Sequence, residues 1–243
     1  MLVTKLRGSN LMRGSAVTPA MEDYLKAAYL LREQGEEISV LGLARSLAVA
    51  SSSVTGMVKR LAALGLLHHE RYGHVVLTPA GEAVALKIVR HHRLLELYLA
   101  EFLDVPWDEV HAEADRLEHH ISEELEERIA ARLSQAVLDP HGDPIPTREL
   151  TVPARELQRL SDLAPGEQGV VERIADQEPQ RLQYLGTVGL VPGAPVGVVA
   201  VTPYAGVVTV RVGAEGGRTH MISTELAGRL LVAPTVAVGG GLP

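Results

Sequence analysis

The order of helix and strand patterns between residues 18 and 77 constrains the fold of this chain most. Thr18 followed by Pro19 is a helix start, because a capping hydroxyl precedes proline at the first helical position. Apolar residues at helical spacing then predict a short helix near 40–47 and a third helix over 52–64. Short apolar runs around a Tyr-Gly turn predict a two-stranded hairpin over 66–77. Helix, helix, tight turn, helix and hairpin is the plan of a winged helix-turn-helix.

This plan predicts which side chains would contact double-stranded DNA. The second helix of the turn enters the major groove with its N-terminal residues leading, and hydroxyls there can bind phosphates and base edges. The predicted contacts are Ser51, Ser52, Ser53 and Thr55 at the helix start, Lys59 and Arg60 against phosphates, and Arg71 and Tyr72 at the wing tip. For each serine alone, an ordinary role in starting a helix is the better explanation. The ensemble favours DNA binding.

The charge distribution agrees with a DNA-binding head on an acidic middle. The net charge of −7 taken alone argues against a nucleic-acid partner. Residues 1–77, however, carry nine Lys and Arg against six Asp and Glu, whereas residues 78–150 carry seven against sixteen. The basic excess is small enough to arise by chance. The chain has no cysteine, which excludes disulfides and thiolate metal ligands.

The acidic middle contains a stretch whose spacing suits a metal ion. Read as one helix to about Leu133, it places four potential ligands within roughly a quarter-turn of arc. These are His111, Asp115, Glu118 and His119. Imidazoles and carboxylates gathered in this way can share a divalent cation. On the preceding helix, His92 and Glu96 stand four residues apart on one face. The alternative is an ordinary solvated acidic face.

Residues 78–147 are predicted to form a helical domain that dimerises. One long helix runs toward Phe102, and the following helix has a second, apolar face. That face consists of Leu117, Ile121, Leu125 and Ile129. Burial within the domain explains part of this apolar surface but leaves a small helical unit poorly covered. We therefore expect a homodimer.

After a proline-rich connection at 140–147, short β-branched runs separated by Gly and Pro turns predict a small β-barrel. The fold class is thus mainly α, with a C-terminal barrel. The expected organisation is an N-terminal arm at 1–17, the winged helix-turn-helix at 18–77, the helical metal-binding and dimerisation domain at 78–147, a tether at 148–160, the barrel at 161–235 and a tail at 236–243. No apolar run approaches the roughly 18–20 residues of a membrane span, and the N-terminus has no secretory pattern, so we expect a soluble cytoplasmic protein with no membrane partner.

The assembled motifs resemble the diphtheria-toxin-repressor family of iron- and manganese-dependent metalloregulators over most of the chain, from about Thr18 to Val232. The most specific motifs are Met21-Glu-Asp-Tyr24, Arg90-His-His-Arg-Leu-Leu95, Pro106-Trp-Asp-Glu-Val-His-Ala-Glu-Ala-Asp-Arg-Leu-Glu-His-His120 and Gly142-Asp-Pro-Ile-Pro146. The tail is similar to an SH3-like, FeoA-type domain, as in Leu185-Gly-Thr-Val-Gly-Leu-Val-Pro-Gly193. The resemblance implies a homodimeric repressor that binds a palindromic operator when metal is bound.

The resemblance also implies two metal sites per subunit. The primary ligands would be Asp23, Asp115, Glu118 and His119, and an ancillary site would use His92, Glu96 and His111. Members with a third domain add ligands from its start, where Glu178 is the nearest match and Gln177 or Gln180 could help.

Two departures from the family pattern bear on the metal. Iron-responsive members typically hold Met and Cys where this chain has Asp23 and Asp115, and hard carboxylates favour Mn(II), with Fe(II) as the alternative. Manganese-responsive members carry Glu where this chain has Lys26, an ammonium that cannot ligate. Lys26 is equally well explained as a solvent-facing residue or as a partial neutraliser of the carboxylates.

Two other functions stay open from the residues alone. A metal-independent winged-helix transcription factor would use the acidic helix only as a dimer surface. A metal-dependent hydrolase could use Glu118 or Glu113 as the base. Against an enzyme, the sequence has no His-Glu-x-x-His motif, no nucleophile elbow and no glycine-rich phosphate cradle.

Overall fold

A computed structural model describes residues 17–69, 74–134, 136–214 and 216–235. The chain divides into two compact units, Met1–Ile88 and Val89–Pro243. The division falls within one continuous helix, so each unit contains part of it. A helical N-terminal part, a helical middle and a small antiparallel sheet confirm the predicted fold class.

In the part that the structure describes, the first unit contains three helices, a hairpin and the start of a fourth helix. These are α1 (Pro19–Glu33), α2 (Val40–Ser46), α3 (Ser51–Ala63), β1 (Leu67–His69), β2 (Val75–Leu77) and α4 (Pro79–Leu103). Leu25, Leu43 and Leu61, one from each of the first three helices, are fully buried. Removing such side chains from water is the main favourable term in folding. The strands pair antiparallel, with Leu67 opposite Leu77.

Helices α2 and α3 form the helix-turn-helix. The hydroxyl of Ser39 caps α2 by accepting a hydrogen bond from the backbone N of Gly42 at 3.0 Å. Helix α3 begins at Ser51, one residue earlier than expected, and its N-cap residue is Ala50. Within the described residues no single helix is long and apolar enough to cross a membrane, and α2 with α3 meets that test only as a pair bent by 112°.

The second unit holds the rest of α4, α5 (Val110–Leu117) and α6 (Glu123–Arg132). The expectation of one helix from 111 to about 133 is wrong, because residues 118–120 form a turn between α5 and α6. Ser122 accounts for the restart, since its hydroxyl caps α6 by accepting a hydrogen bond from Leu125 N at 3.2 Å. The predicted apolar face is interrupted as well, with Ile129 buried but Leu125 exposed.

The C-terminal part of the second unit is a six-stranded antiparallel sheet in the order β3-β8-β4-β5-β6-β7. The strands and helices are β3 (Gln158–Arg159), β4 (Gln168–Ile174), α7 (Pro179–Val188), β5 (Pro195–Thr202), β6 (Val207–Val212), β7 (Arg218–Ser223), α8 (Thr224–Ala227) and β8 (Leu230–Thr235). Leu182 and Leu185 of α7 are fully buried in the core of this sheet. Because β3 pairs with β8, the last residues of the expected tether belong to the sheet.

Trp107 and Gly142 each contribute to the contact between the sheet and the helical part of the second unit. Trp107, between α4 and α5, packs against the core of the sheet and lies next to Gly186 of α7. Gly142 has a φ of +85°, and a Cβ there would lie 1.9 Å from the carbonyl oxygen of Glu172 on β4. Only glycine permits both the conformation and this close approach. The loop 139–146 is therefore fixed between the helices and the sheet.

Candidate metal centre

Helix α4 carries a buried polar segment that supports the candidate centre. His91, His92, Arg93 and Glu96 are all 4% exposed or less. Buried polar and charged side chains need partners, because desolvation without them is costly. Helix α5, the turn at 118–120, helix α6 and the loop 139–146 supply these partners.

The imidazole of His92 lies between two sets of predicted ligands. Its Nδ1 is 2.6 Å from Glu118 Oε2 and 3.3 Å from Asp115 Oδ1. Its Nε2 is 2.9 Å from Glu96 Oε1 and 2.8 Å from His111 Nδ1. The resemblance assigned His92 to the ancillary set alone, whereas the ring has one nitrogen on each set. His92 is thus the residue that connects them.

The other predicted ligands from α5 and the turn at 118–120 lie near this ring or near Glu118. His111 Nδ1 is 3.0 Å from Glu96 Oε1, and one ligand atom from each of His92, His111 and Asp115 lies within 4.8 Å of the others. Glu118 is 1% exposed, and its Oε1 is 3.4 Å from His119 Nε2. Because α5 ends at Leu117, Glu118 and His119 come from the turn and not from a continuous helix face. Tertiary packing, not helical spacing, brings them to the set.

Asp23 and Lys26 lie on α1, in the first unit. Their participation in a site with residues of the second unit stays a prediction.

A third group of potential ligands was not predicted from the sequence. Single ligand atoms of Glu96, Asp139 and His141, all three buried, lie within 4.8 Å of one another. His141 Nε2 donates to the carbonyl oxygen of Trp107 at 2.8 Å, and His141 Nδ1 is 4.0 Å from Glu96 Oε2. A backbone carbonyl that orients one imidazole nitrogen is common behind metal-binding histidines. The signal in the sequence is the spacing of Asp139 and His141, two residues apart at the start of the proline-rich connection.

The electrostatics of these carboxylates differ. Burial by itself raises the pKa of Glu96, but the charge of His92 and hydrogen bonds from His111 and His92 hold this pKa well below its ordinary value. Burial, reinforced by the carboxylates of Asp143 and Glu96, raises the pKa of Asp139 well above its ordinary value against the opposing charge of Arg93. These contacts favour the ionised form of Glu96, whereas the surroundings of Asp139 favour a proton or a nearby positive charge.

Glu178 lies outside these groups. It is exposed at the N-cap of α7, and the groups of ligand atoms found in the described residues do not include it. The neighbouring Asp176 is the buried carboxylate, and it pairs with Arg181 at 2.6 Å and with Arg229 at 3.4 Å. Gln177 and Gln180 are exposed beside them.

The predicted DNA contacts lie on α3 in the first unit. Ser51, Ser52, Ser53, Lys59 and Arg60 are all exposed. The N-cap residue is Ala50 and makes no side-chain cap bond, so none of these serines is the N-cap of α3. Thr55 is half-buried and donates its hydroxyl to the carbonyl oxygen of Ser51 at 2.9 Å. Arg71 and Tyr72, the predicted wing tip, lie outside the described residues.

Three family models together match most of the chain. The model described as "Iron dependent repressor, N-terminal DNA binding domain" matches residues 16–75. The model "Iron dependent repressor, metal binding and dimerisation domain" matches residues 78–147, and "FeoA domain" matches residues 158–234.

Individual proteins similar to this chain are transcriptional regulators. The iron-dependent repressor IdeR of Mycobacterium tuberculosis is 36% identical over 206 residues, which cover 80% of this chain and 89% of IdeR. The regulator MntR of Lysinibacillus sphaericus is 37% identical over 113 residues, which cover 46% of this chain and 81% of MntR. A solved structure titled a manganese-dependent transcriptional repressor in complex with manganese has a TM-score of 0.84 and 36% identity, covering 88% of this chain and all of that one. The manganese regulator SloR has a TM-score of 0.75 and 28% identity, covering 90% of this chain and all of SloR.

Proposed function

Because this chain belongs to the family of iron- and manganese-dependent transcriptional repressors, we propose that it represses metal-homeostasis genes when Mn(II) is bound, with Fe(II) as the alternative ion. The observation that carries this proposal is the position of His92 between two sets of carboxylates and imidazoles. Titratable groups with strongly shifted pKa values, such as Glu96 beside His92, gather at functional sites more often than elsewhere.

The donor set fits the proposed ion. All its donor atoms are oxygen or nitrogen, and the chain has no cysteine to supply a thiolate. Hard oxygen donors suit Mn(II), whereas sulfur donors shift the preference toward later metals. Asp23 and Asp115 supply carboxylates at the two positions where iron-responsive members typically carry sulfur ligands. The ordinary order of affinities places Zn(II) above Mn(II) at almost any site, so the choice of ion also depends on its availability.

The proposed ligands divide into two sets. Asp23, Asp115, Glu118 and His119 would hold the primary ion, and His92, Glu96 and His111 would hold the ancillary ion. Asp139 and His141 are a further pair that could share Glu96, and Glu178 is the candidate from the FeoA-type domain. Bound in the primary set, the ion supplies positive charge that offsets the mutual repulsion of the carboxylates.

In the proposal, Asp23 is the ligand that links metal binding to DNA binding. In the proposal, Asp23 ligates together with Asp115, Glu118 and His119, so that α1 and α3 are held in one arrangement relative to the dimerisation domain. Without the ion, the carboxylates repel and this arrangement is not favoured. Two copies of α3 in a homodimer would then match the half-sites of a palindromic operator only in the metal-bound form. Metal and DNA each favour the same conformer, so each tightens the binding of the other. The place of action would be the cytoplasm.

A gel-shift experiment tests the proposal. The probe is a short duplex selected from a random pool by the wild-type chain in Mn²⁺, and binding is compared in Mn²⁺, Fe²⁺, Zn²⁺ and excess chelator. We expect binding that depends on metal. Asp23→Ala and Glu118→Ala should abolish the stimulation by metal, whereas Glu124→Ala, an exposed change on α6, should preserve it.

Each contrary result identifies another function. Equal binding with and without chelator would support a metal-independent winged-helix regulator. Failure to select any duplex would reopen the hydrolase. Wild-type metal dependence in Asp23→Ala would reject the link between α1 and the primary set.

A further inference from the structure

The turn that carries Glu118 and His119 is held from behind by residues with no assigned role. The last carbonyl groups of a helix have no partner within the helix, and Glu118 is the C-cap residue of α5. His91 of α4 donates from Nδ1 to the carbonyl oxygen of Glu118 at 2.9 Å. The buried His91 therefore fixes the backbone at the point from which the two proposed ligands project.

His91 is itself fixed by Glu126 of α6. Its Nε2 lies 3.0 Å from Glu126 Oε2, and Arg90 donates from Nε to Glu126 Oε1 at 2.5 Å. Arg90 also donates from Nη1 to the carbonyl oxygen of Pro146 at 2.5 Å. All three side chains are 12% exposed or less. We name Arg90, His91 and Glu126 the elbow clamp, since they tie α4 to both sides of the turn between α5 and α6 and to the loop 139–146.

Adjacent histidines on α4 bind the same residue in different ways. His92 contacts the carboxylate of Glu118, the group that would ligate a metal ion, so this contact must change when an ion takes the carboxylate. His91 contacts the backbone carbonyl of Glu118, so this hydrogen bond is compatible with metal ligation by the Glu118 side chain. Hydrogen bonds behind the ligands keep them in a fixed geometry and lower the entropic cost of binding.

We propose that the elbow clamp consists of positioning residues that hold Glu118 and His119 ready for the metal ion and thereby set its affinity. This inference rests on the proposed function, in which Glu118 and His119 are ligands. The clamp residues touch no metal in this proposal. They act through the backbone of the turn.

Titration of the metal-stripped full chain with Mn²⁺ by calorimetry, well below its melting temperature, tests the inference. His91→Phe removes both hydrogen bonds of the ring and keeps its approximate size, and Glu126→Gln keeps the shape of the clamp but removes its charge. We expect the Kd for Mn²⁺ to rise about tenfold or more in His91→Phe, as for other groups behind metal ligands, and to rise in Glu126→Gln. Leu133→Ala truncates a buried side chain at the end of α6. Leu133→Ala should lower the Tm and leave the Kd for Mn²⁺ within about twofold. If the clamp residues had only a structural role, their variants would show this same pattern.

The outcomes separate the two proposals. If Glu118→Gln leaves the Kd for Mn²⁺ unchanged, the ligand assignment of the proposed function is wrong. If Glu118→Gln weakens binding while both clamp variants bind like wild type, the clamp proposal alone is overturned. Equal losses of affinity in Leu133→Ala and His91→Phe would overturn it too, since loss of stability would then explain both. If His91→Phe does not fold, Glu126→Gln decides by the same criterion.

Discussion

At the residue scale, His92 makes contacts that its spacing from other residues in the sequence does not predict. The interval between His92 and Glu96 predicted a shared helix face, and their Nε2 and Oε1 atoms are indeed 2.9 Å apart. The opposite nitrogen of the same ring faces Glu118 and Asp115, which no interval within α4 could indicate. A single imidazole therefore contacts members of both predicted sets of ligands. Removal of this ring would therefore remove contacts from both sets of ligands.

Glu126 gives a prediction for pH at the residue scale. Although burial raises its pKa, hydrogen bonds from His91 and Arg90 and their charges lower it from 4.5 to about 2. A carboxylate with a depressed pKa stabilises the fold above its unfolded pKa, and this contribution is lost as the pH falls from about 4.5 toward 2. Glu126→Gln should therefore be less stable than wild type by roughly 2 kcal/mol at pH 7, with the difference shrinking toward pH 2.

Urea unfolding of the metal-stripped proteins at several pH values measures this difference. Glu124→Gln is the matched control, because Glu124 lies on the same helix but is exposed. The control should show no such dependence. A gap between Glu126→Gln and wild type that stays constant from pH 7 to pH 2.5 would contradict the prediction.

At the element scale, the break between α5 and α6 decides how the ligands are presented. A continuous helix would fix Glu118 and His119 on the same face as His111, as the spacing suggested. In the structure they lie in a turn, where backbone directions are set by contacts such as the bond from His91. A turn orients adjacent residues toward one site with fewer constraints than a helix, along which neighbouring side chains point about 100° apart.

Ser122 is the residue that starts α6, and its removal should weaken the break. In Ser122→Ala the cap to Leu125 N is lost, so we expect a decrease of about 1 kcal/mol in the free energy of unfolding. Ser122→Asp keeps an oxygen acceptor and should retain most of the stability. Urea unfolding in the presence of chelator measures both. Equal stability of Ser122→Ala and wild type would show that the cap does not hold the start of α6.

At the scale of the whole molecule, the proposed regulation couples metal binding to DNA binding. The chain has a helix-turn-helix unit and a second unit in which helices and the FeoA-type sheet are joined through Trp107 and Gly142. The helix α4 is continuous across the division between the units. The proposed regulation adds one requirement, namely that Asp23 ligates together with residues of the second unit.

Arg60 carries a prediction at this scale. It is exposed on α3 and is assigned to a phosphate, a contact that does not depend on sequence. Arg60→Ala should weaken binding to all duplexes alike and reduce the slope of log K against log salt by about 1. Arg128→Ala, which removes the same charge from an exposed position on α6, is the control and should bind DNA like wild type. A loss confined to one base pair of the selected duplex would reject the phosphate assignment.

The sequence by itself determined whatever depends on local chemistry. Helix starts at Pro19 and Pro79, the hairpin after α3, the β-branched strands of the tail and the nitrogen and oxygen donors follow from propensity, capping and residue type. The prediction from sequence was wrong where two local signals competed. Apolar spacing indicated one helix through 111–133, whereas the cap at Ser122 starts a separate helix, α6.

Only the tertiary structure decided which atoms meet. Glu96 meets Asp139 and His141 because the loop 139–146 is fixed between α4 and β4, with Gly142 against the backbone of Glu172. His91 contacts the backbone carbonyl of Glu118, and His92 contacts the carboxylate of the same residue. No periodicity in the sequence predicts either contact. Contacts between residues far apart in the chain depend on how packed elements are oriented, and a shift of one ångström in that packing changes a hydrogen bond while the sequence pattern stays the same.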